Sequence, residues 1–142
     1  MKNTTVDLWK NVHSIKSWND NPYPTANALA FYRYHVSPMM EQNNGRLKIL
    51  DVGCGTGANT IFFSENGCEA HGCDVSKDAL LEAETRVKEY SVNFTECSFI
   101  NLNYDDNGFD VVFCDGVLYY GSEKSFEDGI HEMYRVLKKM EF

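Results

Sequence analysis

At 142 residues and 43% hydrophobic content, the chain is long enough for one domain with its own core and too short for two ordinary ones. A formal charge of -8 gives no net attraction to nucleic acid or to an anionic membrane, so small molecules or proteins are the expected partners. The opening "MKNTTVDLWK" lacks the apolar run of a signal peptide, and no later window approaches the roughly 18 apolar residues that span a bilayer, so a cytoplasmic protein is expected.

Two helices are expected before the first strand, "VDLWKNVHSIKSW" and, past the turn "NDNPYP", "TANALAFYRYH". Pro38 should end the second, because it disfavours helical geometry at Ser37. Residues 47–52, "LKILDV", are short, apolar and partly β-branched, as in a strand buried on both faces. A glycine turn follows, then a helix, "ANTIFFSENG", stopped by Asn66 and Gly67, which tolerate the left-handed conformation of a helix end. "CEAHGCD" is a second strand ending on Asp74. Ser76 caps the next helix, whose Ala79, Leu80, Ala83 and Val87 recur at helical spacing while Lys77, Glu82, Arg86 and Lys88 face away.

Residues 92–99, "VNFTECSF", make a third strand, and "FDVVFCDG", residues 109–116, carries a fourth that runs to about Asp115. The last helix starts near Ser122 and sets Phe126, Ile130, Met133, Tyr134 and Leu137 on one stripe, with Lys138 and Lys139 suited to its C-terminal dipole. Strands alternating with helices require an α/β fold, a parallel sheet with helices on both faces, and ligands in such sheets bind beyond the carboxyl ends of the strands. The cysteines at 54, 68, 73, 97 and 114 form no CxxC pair and read as buried thiols. His13, His35, His71 and His131 have no metal-ligand spacing, and no metal site is expected.

The turn "DVGCGTGANT" carries the chemistry. Gly53, Gly55 and Gly57 fall where the first strand becomes the first crossover helix, so a ligand can approach the backbone without meeting a Cβ. Their G-x-G-x-G spacing differs from the G-x-G-x-x-G of dinucleotide sites, and no Gly-Lys-Ser/Thr follows for a nucleotide phosphate. Asp51 before the turn suits a ligand with a cationic group. Asp74, at the end of the second strand, can accept from both hydroxyls of a ribose. Together these features specify a nucleoside that carries a cation.

"LKILDVGCGTG", "CEAHGCDVSKDAL", "NGFDVVFCDGVLYYG" and "IHEMYRVLK" resemble the successive motifs of the class I S-adenosylmethionine-dependent methyltransferases, a Rossmann-like family, from about residue 46 onward. The resemblance implies S-adenosylmethionine as cofactor and methyl transfer to an acceptor, expected to be a small molecule rather than nucleic acid. It implies that Asp51, Gly53, Cys54 and Gly55, with Gly57 completing the turn, hold the methionine moiety, that Asp74 takes the ribose, and that Val75 packs on the adenine. Ser98 and Phe99 lie where the family has an acidic residue and its neighbour beside the adenine amino group, so serine is a departure there. Asp115 and Gly116 would meet the methionine ammonium. Tyr119 and Tyr120 are candidates to face the acceptor, and Trp18, Tyr23 and Tyr32 to close over the pocket, although aromatic residues at helical spacing such as Tyr32 and Trp18 serve core packing first. No catalytic base stands out.

The family fold has seven strands in the order 3-2-1-4-5-7-6, whereas only four are visible here, in the expected order 3-2-1-4. Residues 1–45 are expected to form a helical cap on a cofactor-binding core of residues 46–142, which would make the chain a truncated form or one that covers its fourth-strand edge by self-association. Two rival readings carry less of the motif set: a non-catalytic S-adenosylmethionine-binding module, and an NAD-dependent oxidoreductase.

Overall fold

The computed structural model describes residues 7, 10, 21–87 and 92–140. Of the expected first helix only Asp7 and Lys10 are described, both helical; its other residues, Trp18 and His13 among them, and Lys88 lie outside the described residues. The elements run α1 (Ala26–Phe31), a π-helical turn (Tyr32–Val36), α2 (Ser37–Gln42), β1 (Lys48–Val52), α3 (Ala58–Glu65), β2 (Glu69–Asp74), α4 (Lys77–Arg86), β3 (Val92–Glu96), β4 (Val111–Cys114), a 3-10 turn (Leu118–Tyr120) and α5 (Glu123–Val136).

The strands form one parallel sheet in the order β3-β2-β1-β4, the order the motifs implied. In register, Asp51 faces Gly72 on one side and Phe113 on the other. Side chains alternate between two cores, as the period of a strand demands. Ile49, Ala70, Val111 and Phe113 pack with Ala28, Val36 and Phe63 on the face covered by α1 and α3, and Leu50, Val52 and Cys73 pack with Leu102, Phe109 and Val136 on the other. Phe63 is fully buried against Phe31, Phe62 and Phe113, a side chain whose burial is worth about 1.5–3 kcal/mol.

The structure corrects four expectations. Pro38 does not end a helix. The turn before it widens so that Ser37 N–H reaches the Tyr32 carbonyl five residues back, and Pro38 sits in the first turn of α2. A π-turn gives the pyrrolidine ring room and leaves its missing N–H without a bond to lose. Second, β3 ends at Glu96, and the chain turns at Ser98 instead of extending to Phe99. Third, α4 stops at Arg86, leaving Val87 outside the helix. Fourth, the stripe on α5 is only partly the buried face: Met133 packs against the core and Leu137 is half-buried, but the other three members are exposed. Phe126, Ile130 and Tyr134 are 47%, 44% and 64% exposed, while the helix seats itself through Gly129 and Val136. A side chain at Gly129 would strike the Phe99 ring at 2.4 Å, so a residue with no hydrophobic signal sets the contact.

After α5 the chain returns to β4. Lys138 N–H donates to the Phe109 carbonyl at 2.8 Å, and Phe109 and Leu137 form a single parallel bridge. Lys138 Nζ pairs with Asp110 at 2.9 Å, and Lys139 Nζ meets the Tyr134 and Leu137 carbonyls near the helix end. Arg135 braces the loop after β3, donating to the Tyr104 and Leu102 carbonyls at 2.8 Å each, while Glu132 accepts from Leu102 N–H at 2.9 Å. No helix among the described residues is long and apolar enough to cross a membrane.

Candidate functional site

The carboxyl ends of β1, β2 and β4 open onto a cavity of about 550 Å³, within the size range of small-molecule and cofactor sites. Its floor is the glycine turn. Gly53, Gly55 and Gly57 all hold positive φ, +75°, +54° and +84°, where a side chain is strained. The turn is pinned to the end of β2: Gly53 N–H and Cys54 N–H both donate to the Cys73 carbonyl, at 2.7 and 2.9 Å.

Asp74 completes the pinning. Its Oδ2 accepts from Gly55 N–H and its Oδ1 from Ser76 N–H, both at 2.9 Å. One carboxylate thereby fixes the glycine turn and the start of α4, which Ser76 caps through Ala79 N–H. A carboxylate offers about four acceptor positions, so Asp74, which lines the cavity, keeps capacity for two further donors.

Asp51 sits behind the turn and not on the cavity wall. It is 2% exposed and accepts from Thr60 Oγ1 at 2.7 Å. Burial drives its pKa from 3.8 to about 7, against the Thr60 hydrogen bond, and the nearby charges of Asp74 and Asp115 push the same way. The Cys54 thiol is held well above its ordinary range by burial and by the charges of Asp51 and Asp74, so it stays protonated and is no nucleophile. Three carboxylates around one turn make a site that a cation relieves and an anion does not. Among the described residues no group of three or more His, Cys, Asp or Glu has the arrangement of a metal site.

Of the residues singled out in the sequence, Gly53, Cys54, Gly55, Asp74, Val75, Ser98, Phe99, Asp115, Gly116 and Tyr120 line this one cavity. Gly57 lies beneath it as the N-cap of α3, where a Cβ would meet Phe94 at 2.8 Å and Ala83 at 2.9 Å. Tyr119 and Tyr23 stand outside, 89% and 73% exposed. Tyr32 packs edge-on against Phe62, in the core role expected of an aromatic at helical spacing. Trp18 lies outside the described residues. No sequence signal pointed to Thr25 and Asn59, cavity residues that meet across 34 positions, nor to Val117 and Ser125. A contact of that span leaves no periodic trace.

A second, shallower cleft of about 360 Å³ lies beside the first and shares Asp115 with it. Its walls are Asn27, Phe31, Tyr34, His35 and Phe113.

Comparison with known proteins agrees with this geometry. The family model for a methyltransferase domain matches residues 49–140. The chain is 30% identical over 120 residues to the glycine N-methyltransferase of Mus musculus, covering 78% of this chain and 41% of that one. It is 36% identical over 100 residues to a protein of Bos taurus named "Probable tRNA methyltransferase 9B", covering 70% and 20%. A solved SAM-dependent methyltransferase from Methanosarcina mazei superposes with a TM-score of 0.60 at 27% identity, covering 66% and 48%. The chain spans half or less of the length of the first curated relatives it matches. It belongs to the class I S-adenosylmethionine-dependent methyltransferase family.

Proposed function

We propose that the protein binds S-adenosylmethionine in the larger cavity and transfers its methyl group to a small-molecule acceptor. The observation that carries this reading is the convergence of Asp51, Asp74 and Asp115 on a glycine turn that opens a helix. A nucleoside with a sulfonium and an ammonium answers that charge, and the pyrophosphate of NAD opposes it. The fit is also steric. Gly116 lines the cavity at φ +80° with nothing within 4 Å of where its Cβ would stand, which leaves backbone open to a ligand.

In this reading Gly53, Cys54 and Gly55 cradle the methionine moiety above Asp51, Asp74 receives the ribose hydroxyls, and Val75, Ser98 and Phe99 contact the adenine. Asp115 and Gly116 meet the ammonium, and Tyr120 flanks the transferring methyl. Tyr23 and Tyr119 would touch only an acceptor that extends beyond the cavity. Bound S-adenosylmethionine supplies an already activated methyl group, so the protein's contribution is to orient the acceptor in line with it and to exclude water. Ala28 and Val36 pack with Ile49 of β1 and Phe63 of α3, which supports the described part of residues 1–45 as a cap on the core of residues 46–142.

The aromatic cleft that meets the cavity at Asp115 suits a small acceptor, and the net charge of -8 disfavours a polyanion. The relative named for tRNA supports the competing reading, an RNA acceptor. The discriminating experiment offers methyl-labelled S-adenosylmethionine with a panel of small amines, acids and thiols, and separately with bulk tRNA. Label in a small molecule supports the proposal; label in tRNA alone refutes it. The cysteines at 54, 68, 73, 97 and 114 are all free thiols, which supports a reducing compartment such as the cytoplasm. Beyond the bridge at Phe109, β4 has no strand partner on its outer side among the described residues, which supports self-association through that edge. Light scattering after size exclusion would oppose this with a monomer at high concentration.

A further inference from the structure

Both carboxylate oxygens of Asp115 are engaged by the N-terminal segment. Thr25 Oγ1 donates to Oδ2 and Asn27 Nδ2 to Oδ1, each at 3.0 Å. Thr25 also donates its backbone N–H to Asn59 Oδ1 in α3 at 2.8 Å. At the other end, Arg86 of α4 donates to the Asn21 carbonyl at 3.4 Å and to Thr56 Oγ1 of the glycine turn at 3.0 Å. Residues 21–27 therefore form a strap from α4 to the end of β4, over the side of the sheet where the glycine turn lies. Thr25 and Asp115 are themselves part of the cavity wall.

The strap is held by polar contacts. Tyr23 is 73% exposed, and the first buried apolar residue after it is Ala28. Segments with few buried apolar contacts open at far lower free energy than the sheet beneath them. Pro22 and Pro24 flank Tyr23 and fix φ at two positions, so little chain entropy is lost each time the strap closes. Hydrogen bonds to a carboxylate are the stronger kind, and the two at Asp115 give the strap its catch.

We propose that Thr25, Asn27 and Asp115 form a latch that closes residues 21–27 over the cofactor cavity, so that the strap sets how long the cofactor stays. Thr25 and Asn27 are positioning residues that act through Asp115. The latch rests on the cofactor reading above.

The test measures release of S-adenosylmethionine by stopped flow and hydrogen exchange of the peptide covering residues 21–31 by mass spectrometry, on the full chain. Asn27→Ala loses one bond to a charged acceptor, and release should quicken about tenfold with the association rate little changed. Asn27→Asp separates the latch from helix stability. An acidic residue in the first turn favours α1, yet it repels Asp115, so the variant should stay folded and still release faster. Thr25→Ser keeps the hydroxyl and should release at the wild-type rate. Ligand should slow exchange of the strap in the wild type and not in Asn27→Asp. Wild-type release rates in both Asn27 variants, or strap exchange indifferent to ligand, would overturn the latch while leaving cofactor binding intact. A wild-type chain that binds no S-adenosylmethionine would overturn both.

Discussion

Asp51 is an acid buried at the centre of the sheet, and its neutral replacement, Asp51→Asn, should stabilise the protein without ligand in a pH-dependent way. A folded pKa of about 7 against 3.8 means that the folded chain holds this proton more tightly than the unfolded chain. Stability therefore falls as pH rises from about 4 to 7 and stays low above it. At about 1.36 kcal/mol per pH unit, the full loss is about 4 kcal/mol. Asparagine keeps an oxygen to accept from Thr60 Oγ1, now 2.7 Å from Asp51 Oδ2, and carries no charge to bury. Urea unfolding followed by far-UV circular dichroism at pH 4 and pH 8 would measure the difference. The variant should match the wild type at pH 4 and exceed it by a few kcal/mol at pH 8. Equal stability at pH 8, or the same gain at both values, would refute the idea that an unrelieved buried charge strains the empty site.

Further outcomes follow from the same geometry. A cation entering beside Asp51 lowers its pKa, so cofactor binding at pH 6 should release up to about one proton; calorimetry in two buffers of different ionisation enthalpy would detect it, and Asp51→Asn should abolish it. Gly53→Ala places a Cβ 1.9 Å from Val117 Cγ2 at φ +75°, and should cost at least about 2 kcal/mol, read as a lower urea midpoint, together with cofactor affinity. Arg135→Met frees the carbonyls of Leu102 and Tyr104; a loss of about 2 kcal/mol is expected, with weaker cofactor binding because the loop bearing Ser98 and Phe99 loses its brace.

The sheet order and ten of the residues that line the cavity were legible in the sequence because their causes are local. A β-branched run makes β1, glycines with positive φ make the turn after it, and Ser76 and Ser122 cap the helices they precede. What escaped is non-local. The π-turn before Pro38 depends on how α1 and α2 share a core with Phe63 and Leu47. The buried face of α5 depends on Gly129 making room for Phe99. Asp51 read as a ligand contact from its position, yet in β1, between β2 and β4, it is buried behind the turn and is no part of the cavity wall. Thr25, Asn27 and Asn59 are ordinary polar residues until the N-terminal segment crosses the sheet.

Calorimetric titration of the wild-type chain and Asp74→Ala with S-adenosylmethionine, with NAD as control, would show whether the cavity is a cofactor site. Asp74 both supports the turn at Gly55 N–H and Ser76 N–H and faces the cavity. The wild type should bind S-adenosylmethionine and not NAD, and the variant should lose affinity by at least about tenfold. Preferential binding of NAD, or binding of S-adenosylmethionine that is indifferent to Asp74, would contradict this assignment of the cavity.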